Sequence, residues 1–79
     1  MTRFFLNMRV GDRVEKDPEG SLCANLAEAE KQATNLIYFM ATDYLRIGEK
    51  LSLDCIEITD ERGRVLDRVN PRRSRMEKQ

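Results

Sequence analysis

The chain lacks histidine and tryptophan, and only two of its 79 residues are cysteine. Without histidine it has neither the commonest general base for neutral pH nor a Cys–His nucleophile pair. A Cys/His zinc site is excluded as well, since two thiolates alone cannot complete a tetrahedral shell. No glycine-rich stretch has the spacing of a phosphate-binding loop. We therefore expect a protein that is not an enzyme, with no catalytic residues, no metal site and no cofactor.

Long apolar runs are also absent, and none approaches the ~20 residues that a membrane span needs. The first residues lead directly into an alternation of apolar and polar side chains, which does not resemble a signal peptide. A chain of this length makes one domain. We expect a cytoplasmic protein without a membrane partner, whose Cys23 and Cys55 are small core or surface residues rather than a disulfide.

Charge is balanced overall but unevenly distributed. The chain carries 14 basic and 14 acidic side chains. The last ten residues, 70–79, hold four of the basic side chains and one acid: Arg72, Arg73, Arg75, Lys78 and Glu77. By subtraction, residues 1–69 carry ten basic and thirteen acidic side chains. We predict a mildly acidic domain over 1–69 and a basic, disordered tail over 70–79, since the tail lacks apolar periodicity.

A long helix over residues 26–47 is the clearest prediction. Asn25 is a favourable N-cap, and Glu28 stands three residues later, where a capping-box acid belongs. Apolar residues then recur at steps of three and four and form one stripe: Leu26, Ala29, Ala33, Leu36, Ile37, Met40, Tyr44 and Ile47. Gly48 can adopt the left-handed conformation that ends a helix. Such a stripe must lie on another apolar surface.

A hairpin precedes the helix. Its first strand, over residues 3–9, alternates and directs three apolar side chains to the face that we expect to line the core: Phe4, Leu6 and Met8. A glycine turn at residues 11–12 leads into a short strand over residues 13–16. A turn that contains Pro18 and Gly20 closes this strand, because proline fixes one backbone angle and glycine tolerates positive φ.

A second hairpin follows the helix. Residues 55–59 alternate, and the turn from Asp60 to Gly63 suits a type I turn with a glycine bulge. Pairing Asp60 with Arg64 predicts three opposite pairs, the second on the core face: Thr59 with Val65, Ile58 with Leu66, and Glu57 with Asp67. The fold class is therefore α+β, in the order β-β-α-β-β, with one long helix packed on a four-stranded antiparallel sheet. The hairpins fix neighbours within each pair of strands but not the strand order between them.

Several motifs recur together along most of the chain: Arg3-Phe4-Phe5, Gly11-Asp12, Asp17-Pro18-Glu19-Gly20, Asn25-Leu26-Ala27-Glu28-Ala29, Gly48-Glu49-x-Leu51 and Ile56-Glu57-Ile58-Thr59-Asp60-Glu61-x-Gly63-Arg64-Val65. Their order and spacing resemble a family of short alphaproteobacterial proteins catalogued as a domain of unknown function. The family usually has an acid where this chain has Asn25, and often a tyrosine where it has Phe4-Phe5. The resemblance implies the fold and carries no activity or site residue with it.

Four apolar side chains lie outside the predicted core and form a possible interface: Phe5, Tyr38, Phe39 and Leu45. Phe39 lies well away from the helix stripe, and Tyr38 and Leu45 share a separate flank of the helix. Phe5 points to the face of its strand that is opposite the core. The alternative is that these residues are scattered singly over the surface, as monomers tolerate.

Three functions remain open from the sequence. The first is a small non-enzymatic module that self-associates, as a possible homodimer, or binds another protein. An alternative is a nucleic-acid-linked regulator, by fold analogy with antitoxins, in which the basic tail contacts phosphates through Arg72, Arg73 and Arg75. A weaker alternative is a small-molecule sensor with a pocket between helix and sheet.

Overall fold

One helix lies against one face of an antiparallel sheet in the structure, a computed structural model that describes residues 1–71. The elements in chain order are β1 (Thr2–Val10), β2 (Arg13–Glu15), β3 (Ser21–Cys23), α1 (Leu26–Arg46), β4 (Cys55–Thr59) and β5 (Val65–Val69). The prediction of an α+β fold with one long helix packed on an antiparallel sheet is confirmed. The sheet has five strands rather than four. Most of the predicted tail, residues 72–79, lies outside the described residues.

The helix begins and ends as the capping residues predict. The Asn25 side-chain oxygen accepts a hydrogen bond from the Glu28 backbone N–H at 2.9 Å, and the Glu28 carboxylate accepts from the Ala24 N–H at 2.7 Å. Gly48 has φ +77°, and its N–H donates to the Leu45 carbonyl at 3.1 Å. The helix ends at Arg46, so Ile47 is an exposed cap residue rather than part of the buried stripe.

The two hairpins join through their longest strands. The strand order is β2-β1-β4-β5, and β3 pairs with β1 outside this path. β1 is antiparallel to β4, with Leu6 opposite Ile58 and Met8 opposite Ile56. β1 therefore pairs with three strands, and its nine residues are long enough for β2 and β3 to pair with its two ends along one edge.

The sequence did not predict β3. Only three residues pair with the start of β1, among them Ser21 opposite Phe4, and three residues are too few to produce a periodic pattern. The connection before β3 is held by Asp17, whose carboxylate accepts from the Leu6 N–H at 3.2 Å and the Gly20 N–H at 3.0 Å. From the sequence, Asp17 is expected to be a solvated turn residue. In the structure its carboxylate connects the turn to β1 through hydrogen bonds.

The predicted register of the second hairpin is wrong beyond its first pair. Asp60 does pair with Arg64, at 3.1 Å from N–H to carbonyl, and Thr59 lies opposite Val65 as expected. The register then shifts between Ile58 and Thr59, so Ile58 lies opposite Asp67 and Glu57 lies opposite Arg68. The predicted pairs of Ile58 with Leu66 and of Glu57 with Asp67 therefore do not form. A bulge adds a residue to one strand, so Leu66 is exposed and Val69 takes the core position opposite Ile56.

The core lies between α1 and the sheet. Its buried residues come from every element except β2, with one more from the loop before β4: Phe4, Cys23, Ala29, Ala33, Ile37, Leu53, Ile56, Ile58 and Val69. Other predicted core residues are half-buried against this cluster: Leu6, Met8, Leu26, Leu36 and Met40. Within residues 1–71, no helix is both long and apolar enough to cross a membrane.

Candidate functional site

The exposed side of α1 carries three large apolar side chains, which we call the α1 outer surface: Tyr38, Phe39 and Leu45. Their exposed fractions are 54%, 68% and 78%. Tyr38 and Leu45 are seven residues apart and lie on one side of the helix, two turns from each other. Phe39 is rotated from Tyr38 by about 100° around the exposed side of the helix. Three of the four residues of the predicted interface therefore share one helix.

A groove runs between α1 and β1 beside Phe39. It has a volume of about 440 Å³ and is lined by five residues: Leu6, Gln32, Asn35, Leu36 and Phe39. Leu6 and Leu36 form an apolar floor, since both pack against the core from the sheet and the helix. Because Phe39 projects at the rim, the same surface offers both a protruding aromatic ring and an apolar recess.

The groove is electrically neutral. Its two polar lining residues, Gln32 and Asn35, carry amides rather than charges. Asp43, one turn beyond Phe39 on α1, pairs with Arg46 at 3.4 Å. A surface of this kind imposes little electrostatic penalty on a copy of itself.

Phe5 does not join the α1 outer surface. It is half-buried in β1 and alternates with the core residues Phe4 and Leu6, so it lies on the face of the sheet opposite the helix. Its ring lies close to Gly20, the residue before β3. The structure thus divides the predicted interface between two sides of the molecule.

The helix-free face of the sheet carries a charged cluster around a buried glutamate, which the sequence did not predict. Glu57 in β4 is 7% exposed, and its Oε2 accepts hydrogen bonds from Arg9 Nε at 3.1 Å and Arg68 Nε at 3.2 Å. Burial alone would raise the pKa of Glu57, but the hydrogen bonds and positive charges of the two arginines outweigh it and lower the pKa. Glu57 is therefore ionised at neutral pH.

Uncharged polar groups extend this cluster across the same face. The buried Asn7 donates from Nδ2 to Thr59 Oγ1 at 3.3 Å, and its Oδ1 accepts from the Asp17 N–H at 2.9 Å. From the sequence, Asn7 and Glu57 are expected to be exposed to solvent, because both are polar and face away from the core. Only the cross-strand register could have revealed that these groups contact each other.

Neither cysteine is poised for nucleophilic chemistry. Both are free and buried. Burial raises the pKa of Cys23 and of Cys55, and the charges of Glu28 and Glu57 respectively raise it further. Both thiols stay protonated at neutral pH. Among residues 1–71, no group of three or more Cys, Asp or Glu side chains could hold a metal ion.

A second recess of about 200 Å³ lies between the C-terminal half of α1 and the sheet, the location that a small-molecule sensor would use. Its lining residues include apolar side chains from β1, α1 and the loop before β4: Met8, Val10, Met40, Tyr44, Leu51 and Leu53. Arg13 and Glu15 of β2 place opposite charges at its edge. The possible phosphate contacts Arg72, Arg73 and Arg75 fall outside the described residues.

Comparison with known proteins places the chain in a family. No curated protein and no solved structure matches the chain. A family model described as a domain of unknown function, DUF6894, matches residues 3–70. This range contains all the strands and the helix except for the first residue of β1. The chain therefore belongs to the DUF6894 family.

Proposed function

We propose that this protein is a small non-enzymatic module that acts by self-association, as a homodimer formed through the α1 outer surface and the adjacent groove. The observation that carries this proposal is the exposure of Phe39, 68%, directly beside an apolar recess. Aromatic side chains are enriched in the cores of protein interfaces. Single exposed apolar residues are common on monomers, but a ring beside its own recess is a more specific arrangement.

A two-fold axis makes such a surface complementary to itself. In a homodimer with two-fold symmetry, the contact of residue i with residue j occurs twice. Phe39 of one copy would enter the groove between Leu6 and Leu36 of the other copy, and the reverse contact would form at the same time.

The electrostatics of the surface also favour a second copy. A two-fold axis brings like residues near like residues, so a charged patch would repel itself. Here Gln32 and Asn35 are neutral and can donate and accept hydrogen bonds with their own copies. The chain as a whole has a formal net charge of zero, so no long-range repulsion opposes association.

The required contact area extends along the helix. A stable interface buries about 800 Å² per partner, more than one groove provides. Tyr38 and Leu45 lie on the same exposed side of α1, and α1 has 21 residues, so it spans roughly 30 Å. An antiparallel pair of α1 helices would cover all three apolar residues of the α1 outer surface.

Sedimentation equilibrium over a wide concentration range tests the proposal. We expect the wild-type chain to pass from monomer to dimer as its concentration rises, and Phe39→Asp to remain a monomer. Because Phe39 is largely exposed, this substitution should leave the monomer folded. Leu22→Asp is the matched control: it makes the same change of charge at an exposed apolar residue in β3, and it should dimerise like the wild type.

Two outcomes would contradict the proposal. A wild-type chain that stays monomeric at the highest concentration would exclude self-association. A dimer that persists in Phe39→Asp and is lost in Leu22→Asp would move the interface to the opposite side of the sheet.

We further propose that the protein acts in the bacterial cytoplasm, as the resemblance to short alphaproteobacterial proteins suggests. Two buried free thiols, Cys23 and Cys55, support a reducing compartment. Cell fractionation with antibody detection tests this location, and recovery in the periplasmic fraction would contradict it.

A further inference from the structure

The helix side of β2 carries charges where the neighbouring strand carries apolar side chains. Glu15 of β2 lies opposite Met8 of β1, and residues paired across two antiparallel strands project from the same face of the sheet. Arg13 lies opposite Val10 in the same way. Because Met8 and Val10 pack against the core, Arg13 and Glu15 also face the helix side. β2 contributes no residue to the buried cluster, so the sheet is left open at this edge.

These two charges stand at the edge of the apolar recess of about 200 Å³ between α1 and the sheet. Apart from the buried Leu53, its apolar lining residues are only half-buried: Met8, Val10, Met40, Tyr44 and Leu51. A ligand that covers them would remove apolar surface from water, which is favourable. The recess is smaller than the pockets of about 300–1,000 Å³ that hold drug-sized molecules, so it suits a small ligand.

The loop before β4 forms a wall of the recess and is held in place. The Asp54 N–H donates to the Arg9 carbonyl at 2.9 Å, and the Asp54 carboxylate accepts from the Gly11 N–H at 2.8 Å. These two hydrogen bonds connect the loop to the end of β1 and to the turn before β2. Since the wall is already ordered, less conformational entropy is lost when a ligand binds.

Arg13 and Glu15 are available to a ligand. Within residues 1–71, neither side chain takes part in an ion pair or a side-chain hydrogen bond. They are two residues apart on one strand, a separation of about 7 Å, so both can reach the charged groups of one small molecule. A guanidinium group binds a carboxylate through two parallel hydrogen bonds, and a carboxylate accepts hydrogen bonds from an ammonium group.

The charges around the recess favour neither sign. The turn before β2, β2 itself and the residues after it and before β4 carry four acids and three basic residues: Asp12, Arg13, Glu15, Lys16, Glu49, Lys50 and Asp54. The fourth acid, Asp54, already accepts the Gly11 N–H. On α1, Asp43 and Arg46 pair with each other. A ligand with a single charge would meet one attractive and one repulsive residue at the edge, whereas a zwitterion would be complementary to both.

We propose that this recess binds a free amino acid with an apolar side chain of about the size of leucine or methionine. Its carboxylate lies on Arg13, its ammonium group on Glu15, and its side chain in the recess against Met8 and Met40, whose flexible side chains adapt to the shape of a ligand. A fatty acid is disfavoured, because Glu15 would repel its carboxylate. Inward-facing charges can also serve to protect an edge strand from pairing, and that role alone predicts no ligand.

NMR titration of the full ¹⁵N-labelled chain tests the proposal. The probes are L-leucine and L-methionine, each added to about 20 mM, where a ligand with a Kd of about 1 mM saturates its site. We expect saturable shifts of the backbone amides of Met8, Val10, Glu15 and Leu53. N-acetyl-L-leucine lacks the ammonium group, L-leucinamide lacks the carboxylate and glycine lacks the apolar side chain, so each should bind roughly tenfold more weakly or less.

Two variants and their matched controls locate the site. Arg13→Gln and Glu15→Gln should each weaken the binding of L-leucine roughly tenfold, and both residues are exposed, so the fold should be retained. Arg62→Gln and Glu61→Gln make the same two changes in the exposed turn before β5 and should bind like the wild type.

The recess is separate from the surface proposed for self-association. None of its lining residues belongs to the α1 outer surface or lines the groove beside Phe39. Phe39→Asp should therefore bind L-leucine like the wild type even where it fails to dimerise. Loss of binding in this variant would contradict the assigned location.

The proposal is overturned if neither amino acid gives saturable shifts, since Arg13 and Glu15 would then only protect the sheet edge. Affinity for N-acetyl-L-leucine or L-leucinamide equal to that for L-leucine would contradict it too, because one charge would then suffice. An equal loss of affinity in the variants and in their matched controls would place the ligand elsewhere.

Discussion

At Gly20 the chain passes so close to β1 that a side chain has no room. Gly20 has φ +72°, and an added Cβ would lie 2.8 Å from the Phe4 carbonyl oxygen and 2.9 Å from the Phe5 ring. We expect Gly20→Ala to be strongly destabilising, because the backbone of β1 or β3 would have to move in addition to the cost of positive φ, about 1–2 kcal/mol. Urea unfolding measures this free energy.

Gly11 provides the matched comparison for this substitution. It also has positive φ, +60°, but nothing lies within 4 Å of an added Cβ. Gly11→Ala should therefore cost only the conformational term, and less than Gly20→Ala. Equal losses in the two variants would show that the close approach to β1 contributes nothing.

Glu57 gives the protein a pH-dependent stability. Its pKa in the folded protein is lowered, because hydrogen bonds and charges from Arg9 and Arg68 outweigh the effect of burial. A lowered pKa means that the unfolded chain binds the proton first as the pH falls. The stabilisation is therefore present in full above the ordinary glutamate pKa and is lost as the pH falls through the lower pKa of the folded protein.

We expect Glu57→Gln to lower the free energy of unfolding by about 1.5–3 kcal/mol at neutral pH, the usual range for hydrogen bonds to charged groups. The difference from the wild type should shrink in acid, where the wild-type carboxyl is protonated too. Urea unfolding at pH 7 and at several acidic pH values measures both quantities. A difference that stays constant with pH would mean that the charge of Glu57 does not contribute.

Residues of the apolar stripe of α1 differ in how deeply they are buried. Ile37 is 2% exposed in the core, whereas its neighbour Leu36 is half-buried and lines the groove. We expect Ile37→Ala to cost about 2–5 kcal/mol, as buried large-to-small changes do. Leu36→Ala should cost less, because part of its side chain is already in solvent.

Thermal and urea unfolding of both variants test this difference, with exposed Lys31→Ala as a control that should stay within about 0.5 kcal/mol of the wild type. The variants are measured at a concentration where the chain is monomeric, so that a change in dimerisation does not contribute to the difference in unfolding free energy. A larger loss for Leu36→Ala than for Ile37→Ala would place the centre of the core nearer the groove.

Within residues 1–71, the core ends at Val69. Every residue of the buried cluster lies between Phe4 and Val69, and Val69 is fully buried opposite Ile56. We therefore expect deletion of residues 72–79 to leave the domain folded, with a Tm close to that of the full chain. Circular dichroism during thermal unfolding measures this, and loss of the cooperative transition would show that the tail is part of the domain.

The local signals in the sequence determined most of the elements. Asn25 and Gly48 set the ends of α1 through hydrogen bonds made within a few residues, and the alternation in residues 55–59 placed β4 within its observed bounds. Such signals depend on backbone geometry near each residue. The α+β class followed, because one apolar helix stripe and one apolar sheet face must cover each other.

The tertiary structure alone decided which residues meet. The bulge that moves Leu66 to the surface, the pairing of β3 with β1 and the joining of Arg9 with Arg68 on Glu57 all depend on contacts between distant parts of the chain. A shift of one residue in a strand exchanges its faces, so the sequence pattern could not fix these contacts. The alternation of β1 already placed Phe5 on the face opposite the helix, but only the fold brought Leu6 and Leu36 together as a groove beside Phe39.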